Sequence, residues 1–334
     1  MTSPKTFSTL QSASQTAYFA THLADVPMME KFPYRLAAPG PGANLAPALR
    51  GLAERYFERP DGAITWHRHA NHALSSQVCC LNFLMPFAEK PDLLARFVQS
   101  AVGGALPEML PIEDGPDGRP WFIAFEWIGS ADHLNEANAQ GARTRGANST
   151  SADAAVKFRL GGETHVLLIE WKYTERYGQP LSSRTSGDTG GNFTRAKRYG
   201  SIAFAPDGPL RADAGVEMSD FFWEPFYQLM RQQILADQIE RHREADRARV
   251  LHLSPSGNRS LHAVTSPKLR AFGTDAFDVF RSLLVDPDAL ICRSIEDVFR
   301  PLLADPGTAT EWADYLTTRY DFLNASAAPF PSSE

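Results

Sequence analysis

Cysteine is scarce in this chain, with Cys79, Cys80 and Cys292 the three in 334 residues. An odd count with two adjacent thiols excludes a disulfide framework and fits a reducing compartment. Long apolar runs are missing as well. The longest, VCCLNFLMPF, falls well short of the ~18 residues that mark a membrane-spanning helix, and it reads as a buried core segment. The opening residues, MTSPKTFSTLQSASQ, have no apolar stretch, so a flexible start without a secretory signal is expected, and with it a cytoplasmic location. Positive charge is not in excess. A formal net charge of −6 excludes a protein that coats nucleic acid by bulk attraction, although a local basic groove remains compatible with it. What is there, 43% hydrophobic and 22% charged residues, is the composition of an ordinary globular chain, long enough for one elaborated domain.

No repeat period is visible, and Pro/Gly clusters divide the chain: PGPGAN, EDGPDGRP and SGDTGGN. Residues 1–60 read as a tail followed by a helix in LAPALRGLAERYFER. Residues 61–258 read as the core. There PDLLARFVQSAVGGAL predicts a helix with Pro91 in its first turn and Gly103-Gly104 at its end. RPWFIAFEWIG, ADAAVKFRL, THVLLIEWKY and RVLHLS have strand character, and Gly161-Gly162 predicts a hairpin turn between the middle two. PFYQLMRQQILADQIERHREADRA predicts a helix with Phe226, Leu229, Met230 and Ile234 facing the core. Residues 259–334 read as a C-terminal helical cover. Two polar stretches read as loops: SADHLNEANAQGARTRGANSTS, which carries Glu136, and QPLSSRTSGDTGGNFTRAKRYGS. The second is basic, since five basic residues stand against Asp188 between Arg176 and Gly200. His67, His69 and His72 lie close together, but their spacing is not that of a zinc site, and polar loop or cap roles are expected.

Chemistry concentrates between Arg145 and Tyr177, RGANSTSADAAVKFRLGGETHVLLIEWKYTERY. Asp153 opens one strand and Glu170, Trp171 and Lys172 end the next. Side chains alternate along a strand, so Glu170 and Lys172 project from one face and can meet Asp153 at one sheet edge. Hard divalent cations such as Mg²⁺ take oxygen ligands, typically one or two carboxylates plus phosphate oxygens. Asp153 and Glu170 would supply that pair, with the Trp171 backbone carbonyl as a further oxygen, and Lys172 would orient a water and offset phosphoryl charge. The plain alternative is a strand-end salt bridge of Glu170 with Lys172 or Arg176.

A carboxylate on one strand, Glu-x-Lys on the next, then a Gln-bearing helix and a further strand resembles the PD-(D/E)XK, restriction-endonuclease-like nuclease superfamily. RGANSTSADAA and LLIEWKYTERY look like a bacterial branch of it grouped with restriction endonucleases. The resemblance is specific over Glu136 to Tyr177, looser at HALSSQVCCLNFL and YQLMRQQILA, and absent from the tail and the C-terminal helices. Ala152 stands where the motif has its proline, a position that varies across the superfamily. The resemblance implies an α/β fold, a central mixed β-sheet flanked by helices, with N- and C-terminal helical additions. It implies a metal-dependent nuclease that hydrolyses phosphodiester bonds, in DNA first of all, in a restriction or defence role. Mg²⁺ would be the cofactor and Mn²⁺ a substitute. Asp153, Glu170 and Lys172 would be catalytic, with Asp153, Glu170 and Trp171 on the metal. An upstream acid assists in the superfamily, and Glu136 is preferred over Glu126 for that role. Gln228, Arg231 and Gln232 would reach a phosphate or the attacking water, against the plain alternative of a solvated helix face, and Arg195, Lys197 and Arg198 would track a backbone as a loop. A homodimer would suit double-strand cutting. Two other readings compete: a catalytically silent nucleic-acid-binding protein on a nuclease fold, and a structural, partner-binding protein that neither cleaves nor binds metal.

Overall fold

Alternation in the two middle strands sets the centre of the fold. Ala152–Leu160 and Glu163–Trp171 pair antiparallel from Leu160↔Glu163 to Ala154↔Ile169. Gly161 and Gly162 close the hairpin at φ 61° and 90°, the left-handed region that only glycine enters without strain. The computed structural model describes residues 5–59, 63–147, 149–178, 180–181 and 191–324. Its main sheet comprises β1 (Glu108–Leu110), β2 (Ile123–Trp127), β3 (Ala152–Leu160), β4 (Glu163–Trp171), β5 (Arg247–Ser254) and β6 (Leu290–Ser294). The order is β6-β5-β4-β3-β1, and β2 also pairs with β3. Because β4 holds one edge of β3, β1 and β2 divide the other, at residues 157–159 and 152–156. The β4–β5 and β5–β6 pairs are parallel and the rest antiparallel, so the sheet is mixed, as expected.

The helices are α1 (Phe7–His22), α2 (Arg50–Phe57), α3 (Ser76–Leu84), α4 (Pro91–Val102), α5 (Gly191–Ala203), α6 (Phe226–Arg241), α7 (Ala276–Ser282), α8 (Ile295–Ala304) and α9 (Thr310–Arg319). They form two layers because each central strand buries both of its faces. On one side Ala154, Val156, Phe158, Leu167, Ile169, Trp171, Leu251 and Leu253 pack with apolar residues of α2, α3, α4, α8 and α9. On the other, Ala155, Val166, Leu168, Ala248, Val250 and Leu290 pack with those of α5, α6 and α7. A Leu- or Phe-sized side chain buried in this way stabilises by about 1.5–3 kcal/mol relative to exposure. The sandwich therefore holds the strand ends, where the charged residues lie, in a rigid frame.

Three expectations are corrected. Phe7–His22, read as part of a tail, is helical: Thr6 caps α1 by accepting from Thr9 N at 3.3 Å, and Gln11, Gln15 and Phe19 form its buried face. Two of those three are glutamines, which satisfy themselves by hydrogen bonds. Gln15 Nε2 donates to the Arg319 carbonyl at 2.9 Å and Gln11 Nε2 to Asp321 Oδ1 at 3.0 Å. The basic stretch FTRAKRYGS is likewise helix α5 and not a loop, with Tyr199 and Ala203 buried four residues apart. The SSRTSGDTG segment ahead of it, also expected to be loop, lies outside the described residues. Third, residues 259–334 do more than cover the core. Leu290–Ser294 extends the sheet parallel to β5, and Ser294 then caps α8, accepting from Asp297 N at 3.1 Å. The VCCLNFLMPF run lies mostly in α3, where residues 77–84 are all buried.

Candidate active site

Strand register assembles the acidic groups. β2 pairs Phe125 with Ala154 and Trp127 with Ala152, which sets Glu126 opposite Asp153. Continuing the Ala154↔Ile169 register by one residue sets Asp153 opposite Glu170. Three carboxylates thus occupy one row across β2, β3 and β4. Glu126 has φ 50°, a left-handed backbone that costs a non-glycine residue roughly 1–3 kcal/mol and recurs at functional sites. Its carboxylate meets the start of α3: Gln77 Nε2 donates to Glu126 Oε1 at 2.6 Å, and His67 Nε2 lies 3.2 Å from the same oxygen.

Asp153 Oδ2 accepts the main-chain N–H of Trp171 at 2.7 Å, locking the first acid to the strand that carries the second. Glu170 is held by two partners, Lys172 Nζ at one oxygen and Gln232 Nε2 of α6 at the other. Glu126, Glu170, Lys172 and Gln232 are all buried. These side chains line a cavity of about 250 Å³ with His67, Ser76, Ser149, Gln228 and Arg231. Loss of hydration, and then the charge of Glu170, push the Asp153 carboxyl well above its ordinary value against the opposing pull of Lys172 and His67. Burial favours neutral Lys172, but the charges of Glu170, Tyr177, Asp153 and Glu175 outweigh it and hold the ammonium well above its usual range. His67 behaves alike: burial lowers it, while the hydrogen bond and charge of Glu126 and the charge of Asp153 raise it overall.

Among the described residues no group of three or more His, Cys, Asp and Glu side chains is arranged as a metal centre. The donor chemistry nevertheless fits a hard cation. Three carboxylates crowd a cavity in which burial, and then the charge of Glu170, oppose ionisation of Asp153 despite Lys172 and His67, and Gln228 Oε1, Gln232 Oε1 and Ser149 Oγ are buried there without hydrogen-bond partners among the described residues. Asp153, Glu170 and Glu126 are the residues that would hold it.

Of the residues singled out from the sequence, Asp153, Glu170, Lys172, Gln228, Arg231 and Gln232 meet in this cavity. Trp171 does not line it; its indole is core and its N–H serves Asp153. Glu136 is also displaced from it. Its carboxylate accepts from Thr150 Oγ1 at 2.7 Å and Tyr199 Oη at 2.6 Å and sits 3.5 Å from Arg231 Nη2, so its oxygens are engaged in a neighbouring pocket. Of the two upstream acids weighed from the sequence, Glu126 lines the cavity with Asp153 and Glu170, whereas the preferred Glu136 lines the neighbouring one. Arg195 and Arg198 line the neighbouring pocket, while Lys197 is exposed on α5 and lines neither. His67, Gln77 and Ser149 join the site without a sequence signal, since nothing in WHRHANHALSSQ has a spacing that points to a carboxylate 49 residues further on.

A mixed sheet of five to six strands flanked by helices is the architecture of the restriction-endonuclease-like fold. The chain belongs to the family described as restriction endonuclease associating with ARP, whose family model matches residues 15–321. That membership indicates a nuclease or defence role. No curated protein matches the chain significantly, and no solved structure does. Among the described residues no helix is long and apolar enough to cross a membrane.

Proposed function

We propose that this protein is a metal-dependent nuclease that hydrolyses phosphodiester bonds in DNA, with Mg²⁺ as cofactor and Mn²⁺ as a substitute, in a restriction or defence role. The observation that carries the reading is the convergence of Glu126, Asp153, Glu170 and Lys172 in one cavity. A bound divalent cation would polarise the phosphodiester and lower the pKa of an attacking water. The protein's part is to place charge and hydrogen bonds around that reaction. Asp153 is held in place by the Trp171 N–H and Glu170 by Gln232, so neither acid reorganises when substrate arrives. Lys172 keeps its proton in the metal-free site and is positioned to offset negative charge building on the phosphoryl oxygens. Gln228 and Gln232 offer unused oxygens to a water. Two copies acting together would serve double-strand cleavage.

Plasmid, linear duplex, single-stranded DNA and RNA are incubated with the purified protein in Mg²⁺, Mn²⁺ or EDTA, beside Asp153→Ala and Lys172→Ala. Cleavage by the wild type in metal alone, lost in both variants, is the expected result. Every substrate left intact by the wild type would leave the second reading, a catalytically silent nucleic-acid-binding protein on the same fold, and cutting in EDTA would remove the metal from the mechanism.

A further inference from the structure

β2 pairs with β3 along one side, and among the described residues no strand pairs with its other side. Side chains take that place, because the backbone groups of an unpaired edge still need partners. Arg145 Nη2 donates to the Phe125 carbonyl and Arg145 Nε to the Glu126 carbonyl at 3.3 Å, while the Phe125 N–H donates to Tyr56 Oη at 2.9 Å. The two carbonyls belong to the peptide planes on either side of the Glu126 Cα. Each plane is rigid, so holding both of them fixes φ and ψ of Glu126. Arg145 thus holds the left-handed backbone, φ 50°, from which Glu126 reaches the acidic cavity. The guanidinium is itself fixed. Arg145 Nη1 donates to Glu113 Oε2 at 2.8 Å and Nη2 to Tyr56 Oη at 2.6 Å, and Tyr56 Oη donates to Glu113 Oε1. The Tyr56 ring stacks on Trp121 with centroids 4.7 Å apart. At the main chain, the Thr65 N–H donates to the Arg145 carbonyl at 3.0 Å, and a Cβ on Gly146 would come within 2.6 Å of the Thr65 carbonyl oxygen. Arg145 does not line the cavity; its bonds go to the protein.

We propose that Arg145 is a positioning residue of the acidic site: it acts through Glu126, holding that residue's backbone so that the carboxylate stays in the row with Asp153 and Glu170. The inference rests on the nuclease reading above, in which Glu126 helps to hold the cation, and adds what keeps Glu126 in place before the cation arrives. A left-handed residue other than glycine persists only where its surroundings over-determine it. Gln77 and His67 hold the Glu126 carboxylate, whereas Arg145 holds its backbone. Released from Arg145, Glu126 is expected to relax towards an ordinary strand conformation, and its carboxylate to leave the row.

The test uses full-length Arg145→Lys, Glu126→Gln and the double variant, with Mg²⁺ affinity read by calorimetry and folding by melting temperature. Lysine keeps a charge beside Glu113 but cannot span two carbonyls and a carboxylate at once. Arg145→Lys is expected to weaken Mg²⁺ binding by about 10–100-fold, the range typical of losing a group that orients a metal ligand. In the Glu126→Gln background the same substitution is expected to change the affinity by less than about twofold, since the residue it acts through is already gone. Loss of any buried arginine can lower the melting temperature; only a positioning role makes the effect on Mg²⁺ vanish with Glu126. A folded Arg145→Lys protein with the wild-type Mg²⁺ affinity overturns the positioning role, and leaves the nuclease reading standing if the wild type cuts. A loss that persists undiminished beside Glu126→Gln overturns it too, because Arg145 would then act through another group. Should Arg145→Lys fail to fold, Tyr56→Phe takes its place under the same two criteria, since it removes the hydroxyl bonded to Arg145 Nη2 and to the Phe125 N–H. A wild type that binds neither Mg²⁺ nor Mn²⁺ overturns both the positioning role and the metal in the nuclease reading.

Discussion

Gln77 Nε2 donates to Glu126 Oε1 at 2.6 Å, a bond between the first turn of α3 and a carboxylate whose backbone is left-handed. Through it a helix on one face of the sheet determines where an acid at the end of β2 points. The row Glu126, Asp153, Glu170 is therefore a product of strand register and of helix packing together.

Replacing each acid separately distinguishes the two upstream candidates. Glu126→Gln keeps the volume and removes the charge, and DNA cleavage in Mg²⁺ is expected to fall by about 10²–10³-fold, the size typical of losing one preorganised electrostatic group. Glu136→Gln is expected to reduce the initial rate by less than about tenfold and to lower stability by about 1–2 kcal/mol, because its hydrogen bonds to Thr150 and Tyr199 weaken. Initial rates and chemical denaturation measure both, and the reverse ranking of rates would return the role to Glu136.

Asp153 gives a trade between activity and stability. Burial and Glu170 both oppose its ionisation, so Asp153→Asn, which keeps an oxygen for the Trp171 N–H, is expected to be more stable than the wild type in EDTA by about 1 kcal/mol. The same variant is expected to lose Mg²⁺ binding in calorimetry and to lose cleavage. An unchanged Mg²⁺ affinity would remove Asp153 from the ligand set.

Glu224 makes stability depend on pH. Loss of hydration pushes its carboxyl up to about 7, with Lys172 opposing and Glu170 adding. The folded state then holds a proton that the unfolded chain releases near its ordinary value, about 4.3. The resulting stabilisation is complete below the unfolded value and is lost as pH rises through about 7. Urea denaturation in EDTA between pH 5 and 8 is expected to show the wild type losing about 1–3 kcal/mol relative to Glu224→Gln. Parallel pH profiles would mean that the carboxyl is solvated.

Arg319 joins the two ends of the chain. It is 1% exposed, donates to the carbonyl and side-chain oxygens of Asn44, to Tyr315 Oη and to Gln15 Oε1, and has the rings of Tyr18, Phe19 and Tyr320 around its guanidinium. Arg319→Ala strands these acceptors and is expected to cost about 3–5 kcal/mol. Arg319→Lys is expected to recover little of it, because an ammonium cannot span the same fork of oxygens. Thermal melts of the two variants measure this, and a lysine variant as stable as the wild type would show that charge alone suffices.

Local pattern in the amino-acid sequence determines a large part of the molecule. The hairpin of β3 and β4, its Gly161-Gly162 turn, helix α4 between Pro91 and Gly103, and the Gln-bearing helix α6 all follow from periodicities of two and 3.6 residues and from turn chemistry. Period two also puts Glu170 and Lys172 on one side, and the hairpin puts Asp153 beside them. Three things are decided only in the folded molecule. Helix α1 buries glutamines, whose bonds to Arg319 and Asp321 join positions about 300 residues apart, so no hydrophobic period announces it. Helix α5 is polar on most of its surface and is set by Tyr199 and Ala203 against the α6 side of the sheet. The position of Glu126 in the cavity beside Asp153 depends on a single left-handed residue and on Gln77 and His67 from distant segments, contacts that no local rule encodes because they exist only once the layers close.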